Sequence, residues 1–363
     1  MNKAYKFRIY PNLAQRILFG KTFGCCRFIY NKMLSEKIAY YKETEKTLNI
    51  TPAKYKADFE WLKEVDSLAL CNEQLNLDKA YKNFFRDKKA GFPKFKNKKN
   101  DRKSYTTNCV NNNIRIDGKF LVLPKIGKLR IKQHRNIPGG YILKSVTVSQ
   151  NASGKYYASV LYEYNEDIQP EKASNVLGLD FSMSELYIDS NGEHADYPRY
   201  YRRALEKLGR MQRALSKMVK YSNNYYKQRR KIAKFHERIA NQRKDFLHKH
   251  SRQITNAVSC VAIEDLNMKA MQKSLNFGKS VNDNAWGMFT SFLTYKLAEQ
   301  GKQLIKVDKW FPSSKTCSVC GAKKDELLLS ERVYVCDCGN VMNRDVNAAI
   351  NIKNEAIRIL AAE

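Results

Sequence analysis

A chain of 363 residues exceeds the roughly 250–300 at which single cores stop growing, so two or three domains are expected and a lone small binding module is excluded. Hydrophobic residues at 43% and aromatics at 12% supply enough apolar surface for packed cores, which excludes disorder throughout. The 66 Lys and Arg against 36 Asp and Glu leave a formal charge of +30. So large an excess points to a polyanionic partner, nucleic acid first, with a ribosomal or merely solubilising surface as the bland alternative.

The opening MNKAYKFRIYPN has no long apolar core and no small-residue cleavage site, and no segment approaches the ~20 apolar residues of a membrane span. A cytoplasmic protein without a membrane partner is expected. In that reducing compartment the nine cysteines serve as buried thiols or metal ligands. Cys25, Cys26, Cys71, Cys109 and Cys260 lie outside any ligand spacing and are expected as small core residues.

Residues 1–10 read as an edge strand. Helical spacing then runs from Leu13 through Leu18, Phe23, Phe28 and Leu34, and resumes from Leu70 to Phe85. DKKAGFPKFKNKKNDRK breaks it with Gly91 and Pro93 and turns strongly basic, which predicts a loop. Phe92 and Phe95 interleave there with Lys94, Lys96, Lys98 and Lys99, a pattern suited to stacking on bases while neutralising phosphates. Anchoring of both rings to the core is the plain alternative. From Ser104 to Tyr164 apolar and polar residues alternate around Gly turns, which predicts a small β-barrel or curled sheet. EDIQPEKASN is a polar linker, and a domain boundary is placed in it.

Beyond the linker, VLGLDFSMSELYIDSNG is an apolar strand ending in Asp180, a turn, and a second strand folding back. AVSCVAIEDL repeats the device, with an apolar strand ending in Glu264, beside which Asp265 is a further acid. The third such strand, in QLIKVDKWFPSS, carries no acid assignable to a site. Asp345 opens the alanine-rich helix RDVNAAINIKNEAIRIL, where the dipole favours a carboxylate. Taken singly, each acid is as well explained as a cap or a surface charge. Together, two strand-terminal acids and one helix-start acid can converge on hard divalent cations, which demand oxygen ligands; two such ions stand about 3.5–4 Å apart in phosphodiester hydrolysis. That chemistry needs no catalytic histidine, and the five His form no recognisable pair.

KTCSVCGAKKDELLLSERVYVCDCGN sets Cys317 and Cys320 in a C-x₂-C knuckle and Cys336 and Cys338 after an intervening hairpin, the spacing of a closed, structural Cys₄ zinc site. Gly321 and Gly339 suit the knuckle turns, although the second pair is C-x-C. The segment from Arg199 to Arg252 holds 18 Lys and Arg against Glu206, Glu237 and Asp245. Leu205, Leu208, Leu215 and Val219, then Ile232, Phe235 and Ile239, keep one apolar face in each half, and YSNNYY predicts the bend of a helical hairpin. A solvated helix would mix charge signs, so its basic faces read as a nucleic-acid track, with Arg202, Arg203, Arg229 and Arg230 as candidate contacts.

The ordered set GLDFSM, VAIEDLNMKAM, FPSSKTCSVCG, CDCGN and RDVNAAINI resembles the TnpB (OrfB) proteins of bacterial insertion sequences, relatives of the type V CRISPR effectors. YKFRIYPNLAQ, CRFIYN and GFPKFK extend the resemblance over almost the whole chain. It implies a multidomain α+β and α/β protein: a β-barrel wedge domain (1–10 plus 104–168) with a helical recognition insert (11–103), then a RuvC-like nuclease domain of RNase H fold (172–315 plus 340–363) with a zinc-binding, target-nucleic-acid-binding insert (316–339). It further implies a guide RNA from the element's end, double-stranded target DNA with a short flanking motif, and Mg²⁺-dependent cleavage. Asp180, Glu264 and Asp345 fall on the family's catalytic positions. Family members often have Asp where this chain has Asn343, which implies a higher Mg²⁺ requirement if that acid contributes. Alternatives of other classes are a nuclease-inactive guided repressor of the same fold and a zinc-ribbon RNA-binding protein.

Overall fold

Strand β1 (Asn2–Tyr10) buries Tyr5, Phe7 and Ile9 and turns Lys6, Arg8 and Tyr10 to the other face, the period of two expected of a sheet covered on one side. The computed structural model describes residues 1–87, 89–99, 103–268, 270–271, 283–328 and 330–362. The chain divides into two compact units, Met1–Glu166 and Asp167–Glu363.

In the first unit, β1 lies inside an antiparallel seven-stranded sheet with β2 (Lys103–Asn108), β3 (Arg115–Asp117), β4 (Phe120–Leu123), β5 (Gly127–Lys132), β6 (Ile142–Gln150) and β7 (Tyr156–Glu163), in the order β2-β6-β7-β1-β5-β4-β3. The expected edge strand is therefore flanked on both sides, by β7 and β5. Its partners lie far downstream, beyond the reach of any local pattern. Among the described residues the sheet does not close into a barrel, since β2 and β3 each have a neighbour on one side only, which leaves the open-sheet form of the expectation. Helix α1 (Leu13–Thr44) starts in a reciprocal capping box: Asn12 Oδ1 accepts the Gln15 backbone N–H at 2.9 Å, and Gln15 Oε1 accepts the Asn12 N–H at 3.1 Å. Its stripe of Phe19, Phe23, Cys26, Tyr30 and Met33 is buried at three- and four-residue spacing. A short helix α2 (Tyr55–Asp58) leads to α3 (Ser67–Arg86), capped by Asp66, which also accepts a hydrogen bond from the buried Thr107 hydroxyl on β2. Cys25, Cys26 and Cys260 are buried and Cys109 is half-buried, but Cys71 is exposed on α3.

The second unit is layered. Its sheet runs β11-β10-β8-β9, with β8 (Val176–Phe181), β10 (Cys260–Glu264) and β11 (Gln303–Val307) parallel and β9 (Tyr187–Asp189) folded back antiparallel on β8. One face, with Leu177, Leu179, Val261 and Ile263, packs on Leu247 and Ile254 of α5 (Asn223–Ala257) and on Trp286, Phe289 and Leu293 of α6 (Trp286–Ala298). The other face, with Val176, Cys260 and Ala262, packs on Ile352 and Ala356 of α7 (Arg344–Ala362). Cover on both faces explains why these strands are continuous apolar runs. Helix α4 (Tyr200–Ser216) and α5 form the basic hairpin, broken between 217 and 222. Its first apolar face is narrower than expected. Leu208 is buried, but Leu205 and Val219 are exposed, and Val219 lies in the bend beyond the helix. Strands β12 (Val333–Val335) and β13 (Val341–Asn343) pair as a hairpin whose loop carries Cys336 and Cys338. Among the described residues, no helix is long and apolar enough to cross a membrane.

Candidate active site and zinc centre

Leu179 of β8 pairs in register with Ile263 of β10. Asp180 and Glu264, each one residue further, therefore stand at the C-terminal ends of neighbouring parallel strands about 4.8 Å apart, with Phe181 closing β8, and project to the face opposite Leu179 and Ile263. Helix α7 lies on that face, and Gly178 brings it close. A Cβ at Gly178 would stand 2.1 Å from the Ala349 carbonyl oxygen and 2.8 Å from the Lys353 nitrogen. Asp345 precedes Ala349 by one helical turn, about 6 Å. Asp180 follows Gly178 by two strand residues, about 6.6 Å. With α7 antiparallel to β8, these offsets carry Asp345 over the strand end that bears Asp180.

Electrostatics record the convergence. Burial, then the negative charges of Asp345 and Glu264, push the Asp180 carboxyl up to about 8, against the opposing pull of the Phe181 N–H and the Arg344 guanidinium. Burial also raises the Glu264 carboxyl. Asp265, the other acid at the end of β10, pairs instead with Lys306 at 2.9 Å on the surface. All three converging acids are half-buried. They bracket a space without closing on a point: among the described residues, the four cysteines alone bring three or more ligand atoms within 4.8 Å of one another. A partly dry cluster of hard oxygen donors that repel one another suits divalent cations.

Two further features hold this rim. Asn343 Oδ1 accepts the N–H groups of Asp345 at 2.8 Å and Val346 at 3.3 Å, so Asn343 caps α7. The buried Asn284 amide donates to the carbonyls of Ser182, at 2.8 Å, and Glu185, and so pins the β8–β9 turn just beyond Asp180.

The cysteines form a cage. Cys317 and Cys338 sulfurs lie 3.7 Å apart, and those of Cys320 and Cys336 lie 3.6 Å apart. Tetrahedral Zn–S bonds of about 2.3 Å place sulfurs about 3.8 Å apart, so the cluster can hold zinc in spite of its C-x-C half. Gly321 and Gly339 take φ of 77° and 90° in the two knuckles, a region open to glycine. Burial works to raise the Cys317 thiol, but the Cys320 N–H, the Asn340 amide and the Val319 N–H outweigh it and bring it down to about 6, toward the thiolate a metal needs.

Sequence reasoning missed the tie between cage and helix. Asn347 Oδ1 accepts the Ser318 N–H at 3.0 Å while its amide donates to the Thr316 carbonyl at 2.7 Å. Asn351, one turn on, donates to the carbonyls of Ser313 at 2.8 Å and Thr316 at 2.6 Å. The four-residue spacing of Asn343, Asn347 and Asn351 was the available signal. Such a row of polar side chains on an apolar helix needs partners when buried.

The basic candidates divide. Lys94 is exposed, as are Arg202 and Arg203 on α4 and Arg229 and Arg230 on α5, with Arg229 standing 5.8 Å from the Tyr225 ring centroid. Lys96 departs from the expectation. Its ammonium pairs with the buried Glu73 carboxylate and lies 4.3 Å from the Tyr30 ring centroid, and Asn31 bonds its backbone on both sides. Phe92 and Phe95 are both exposed, and Phe92 also packs edge-on against Tyr81 and Phe84.

The chain is similar to known proteins over nearly its whole length. Family profiles match residues 1–46 (a helix-turn-helix domain of OrfB_IS605), 159–275 (OrfB_IS605, "Probable transposase") and 286–352 (a Cas12f1-like TNB domain). A protein of Streptomyces pristinaespiralis named for RNA-guided DNA endonuclease activity is 35% identical over 97% of this chain and 89% of its own length. InsQ of Escherichia coli K12, named likewise, is 31% identical over 99% of this chain and 93% of its own. In fold, the chain is similar to Cas12f1 as seen in a complex with guide RNA and target DNA, with a TM-score of 0.61 and 12% identity over 98% of this chain and 99% of that one. Motif order, cysteine cage and near full-length identity lead to one assignment: the chain belongs to the TnpB (OrfB) family of insertion-sequence-encoded RNA-guided nucleases.

Proposed function

We propose that the protein is an RNA-guided, Mg²⁺-dependent DNA endonuclease of a bacterial transposable element, with Asp180, Glu264 and Asp345 as its catalytic metal ligands. The single observation that carries this reading is the convergence of the three carboxylates at the strand ends, where burial first, and then the charges of Asp345 and Glu264, raise the Asp180 carboxyl to about 8. Divalent cations bound there, two in the reading favoured, would activate the attacking water and steady the leaving oxygen of an in-line phosphodiester displacement. The protein's part is placement. Two strand ends fix Asp180 and Glu264, α7 supplies Asp345, and the half-buried rim limits water.

In this reading the second unit, from 172 onward, is a RuvC-like nuclease domain of RNase H fold. The cysteine-bearing insert holds structural Zn²⁺ and helps engage target DNA. The first unit is the wedge domain with its helical recognition insert. Guide RNA would come from the element's end, and a short flanking motif would license the target. Exposed Lys94, Arg202, Arg203, Arg229 and Arg230 are offered as contacts to the polyanions. The test is direct: protein purified with its own RNA should cut a matching duplex in Mg²⁺, and Asp180→Ala should not. Equal cutting by Asp180→Ala would remove the assigned site, and guided binding without any cutting by the native protein would favour the repressor.

A further inference from the structure

Val307 of β11 pairs with Glu264, and directly beyond it the chain turns. The Asp308 carbonyl accepts the Phe311 N–H at 3.0 Å, and Asp308 Oδ1 accepts the Trp310 N–H at 2.7 Å. This turn sends two adjacent aromatics in different directions. Phe311 packs against the core beneath α7. Trp310 is 81% exposed, more than any other large apolar side chain among the described residues. Lys309 Nζ lies 4.8 Å from its ring centroid.

Leaving an indole in water forgoes burial of some 150–250 Å² of apolar surface, so a turn that holds it out suggests a partner. Three residues span at most about 10 Å, which keeps Trp310 near the end of β10 where Glu264 stands. An aromatic face beside an ammonium matches the two halves of a nucleotide, a flat base and a phosphate. Resting on the nuclease reading above, we propose that Trp310 is a stacking platform for an unpaired base of the DNA strand lying at Asp180, Glu264 and Asp345, with Lys309 neutralising an adjoining phosphate.

The chain has three tryptophans. Trp286 is buried and Trp61 is 41% exposed, so Trp61→Phe leaves Trp310 as the solvent-facing emitter. With the full-length protein carrying its co-purified RNA, titration with a short oligothymidylate should quench that emission, and adding Trp310→Ala should abolish the response. In guided cleavage, Trp310→Ala should lose about 5- to 150-fold in kcat/KM, the range set by ~1–3 kcal/mol of base stacking, and Trp310→Phe should recover most of it. An unquenched Trp310, or wild-type cleavage by Trp310→Ala, overturns the proposal. So does quenching that follows protein concentration without DNA, which would make Trp310 a contact between copies of the chain. The parallel Asp180→Ala reaction separates the two levels: if it still cuts, the site reading fails; if it is dead while Trp310→Ala cuts normally, only the stacking proposal fails.

Discussion

Replacing Gly178 by alanine tests how Asp345 is placed. The new methyl would stand 2.1 Å from the Ala349 carbonyl oxygen and 2.8 Å from the Lys353 nitrogen, both backbone atoms of α7 that no rotamer change can move aside. Ordinary carbon–oxygen contact begins near ~3.3 Å, so the helix must retreat from β8 by about 1 Å. Overpacking of this kind typically costs about 1–3 kcal/mol, a loss a two-unit chain should survive folded. Cleavage should suffer more, because a displacement of about 1 Å in a reacting constellation can cost about 10²-fold. Single-turnover cleavage of a guided duplex, alongside urea denaturation, reads both effects. Gly287→Ala is the control: it lies in α6 with nothing within 4 Å of the added methyl and should be neutral or gain up to about 1 kcal/mol. If Gly178→Ala cuts at the wild-type rate, the close approach of α7 to β8 is not what positions Asp345.

Other expectations follow from the same geometry. Because the folded Asp180 carboxyl is raised to about 8, the folded state retains a proton that the unfolded chain releases near ~3.9. This contribution to metal-free stability is present at low pH and lost as pH rises toward 8, by up to about 1.4 kcal/mol per pH unit. Denaturation of Asp180→Asn across that window should lack this component, and curves parallel to wild type would refute it. Stripping zinc should raise the Mg²⁺ concentration needed for half-maximal cleavage, and Asn347→Ala should do so in part with zinc bound; unchanged Mg²⁺ titrations would sever the cage from the active site. Lys96→Ala leaves the buried Glu73 carboxylate unpaired and should cost on the order of 2 kcal/mol. Adding Glu73→Gln should restore much of that loss in thermal melts, whereas Lys94→Ala should leave stability alone and weaken guide-free nucleic-acid binding. Asn343→Ala, by removing the α7 cap, should cost about 1 kcal/mol, and Asn343→Asp should keep the cap, both read by denaturation.

What could be read along the chain was what depends on near neighbours. The strands expected to end at Asp180 and Glu264, the helix expected to begin at Asp345 and the cysteine spacing are short-range patterns, and each element stands within a residue of where its pattern put it. Guide dependence entered through family likeness, since charge alone signals affinity for nucleic acid without naming the strand held. The misreadings come from partners distant in sequence. Lys96 looked like a phosphate contact because Glu73, 23 residues earlier on α3, leaves no local trace. Asn347 and Asn351 drew no reading from the sequence, because their hydrogen-bonding partners, Ser318 and Thr316, lie 29 and 35 residues earlier at the Cys317 knuckle. Cys71 followed the general habit of thiols, but its position on α3 faces solvent.

The inner place of β1 also bears on how the protein is made. Asn2 pairs with Glu163 and Ile9 with Tyr156, so β1 is synthesised well before β7, the strand it pairs with along most of its length. Until then the β7 edge of β1 has open hydrogen-bonding groups, next to the apolar face of Tyr5, Phe7 and Ile9. Pairings this distant fold slowly and leave edges open to wrong partners. Helix α1, whose cap and buried stripe are local, can form early and shelter part of that surface. Synthesis rate and α1 stability, more than the finished protein's melting point, would then set how much nuclease a cell obtains from each message.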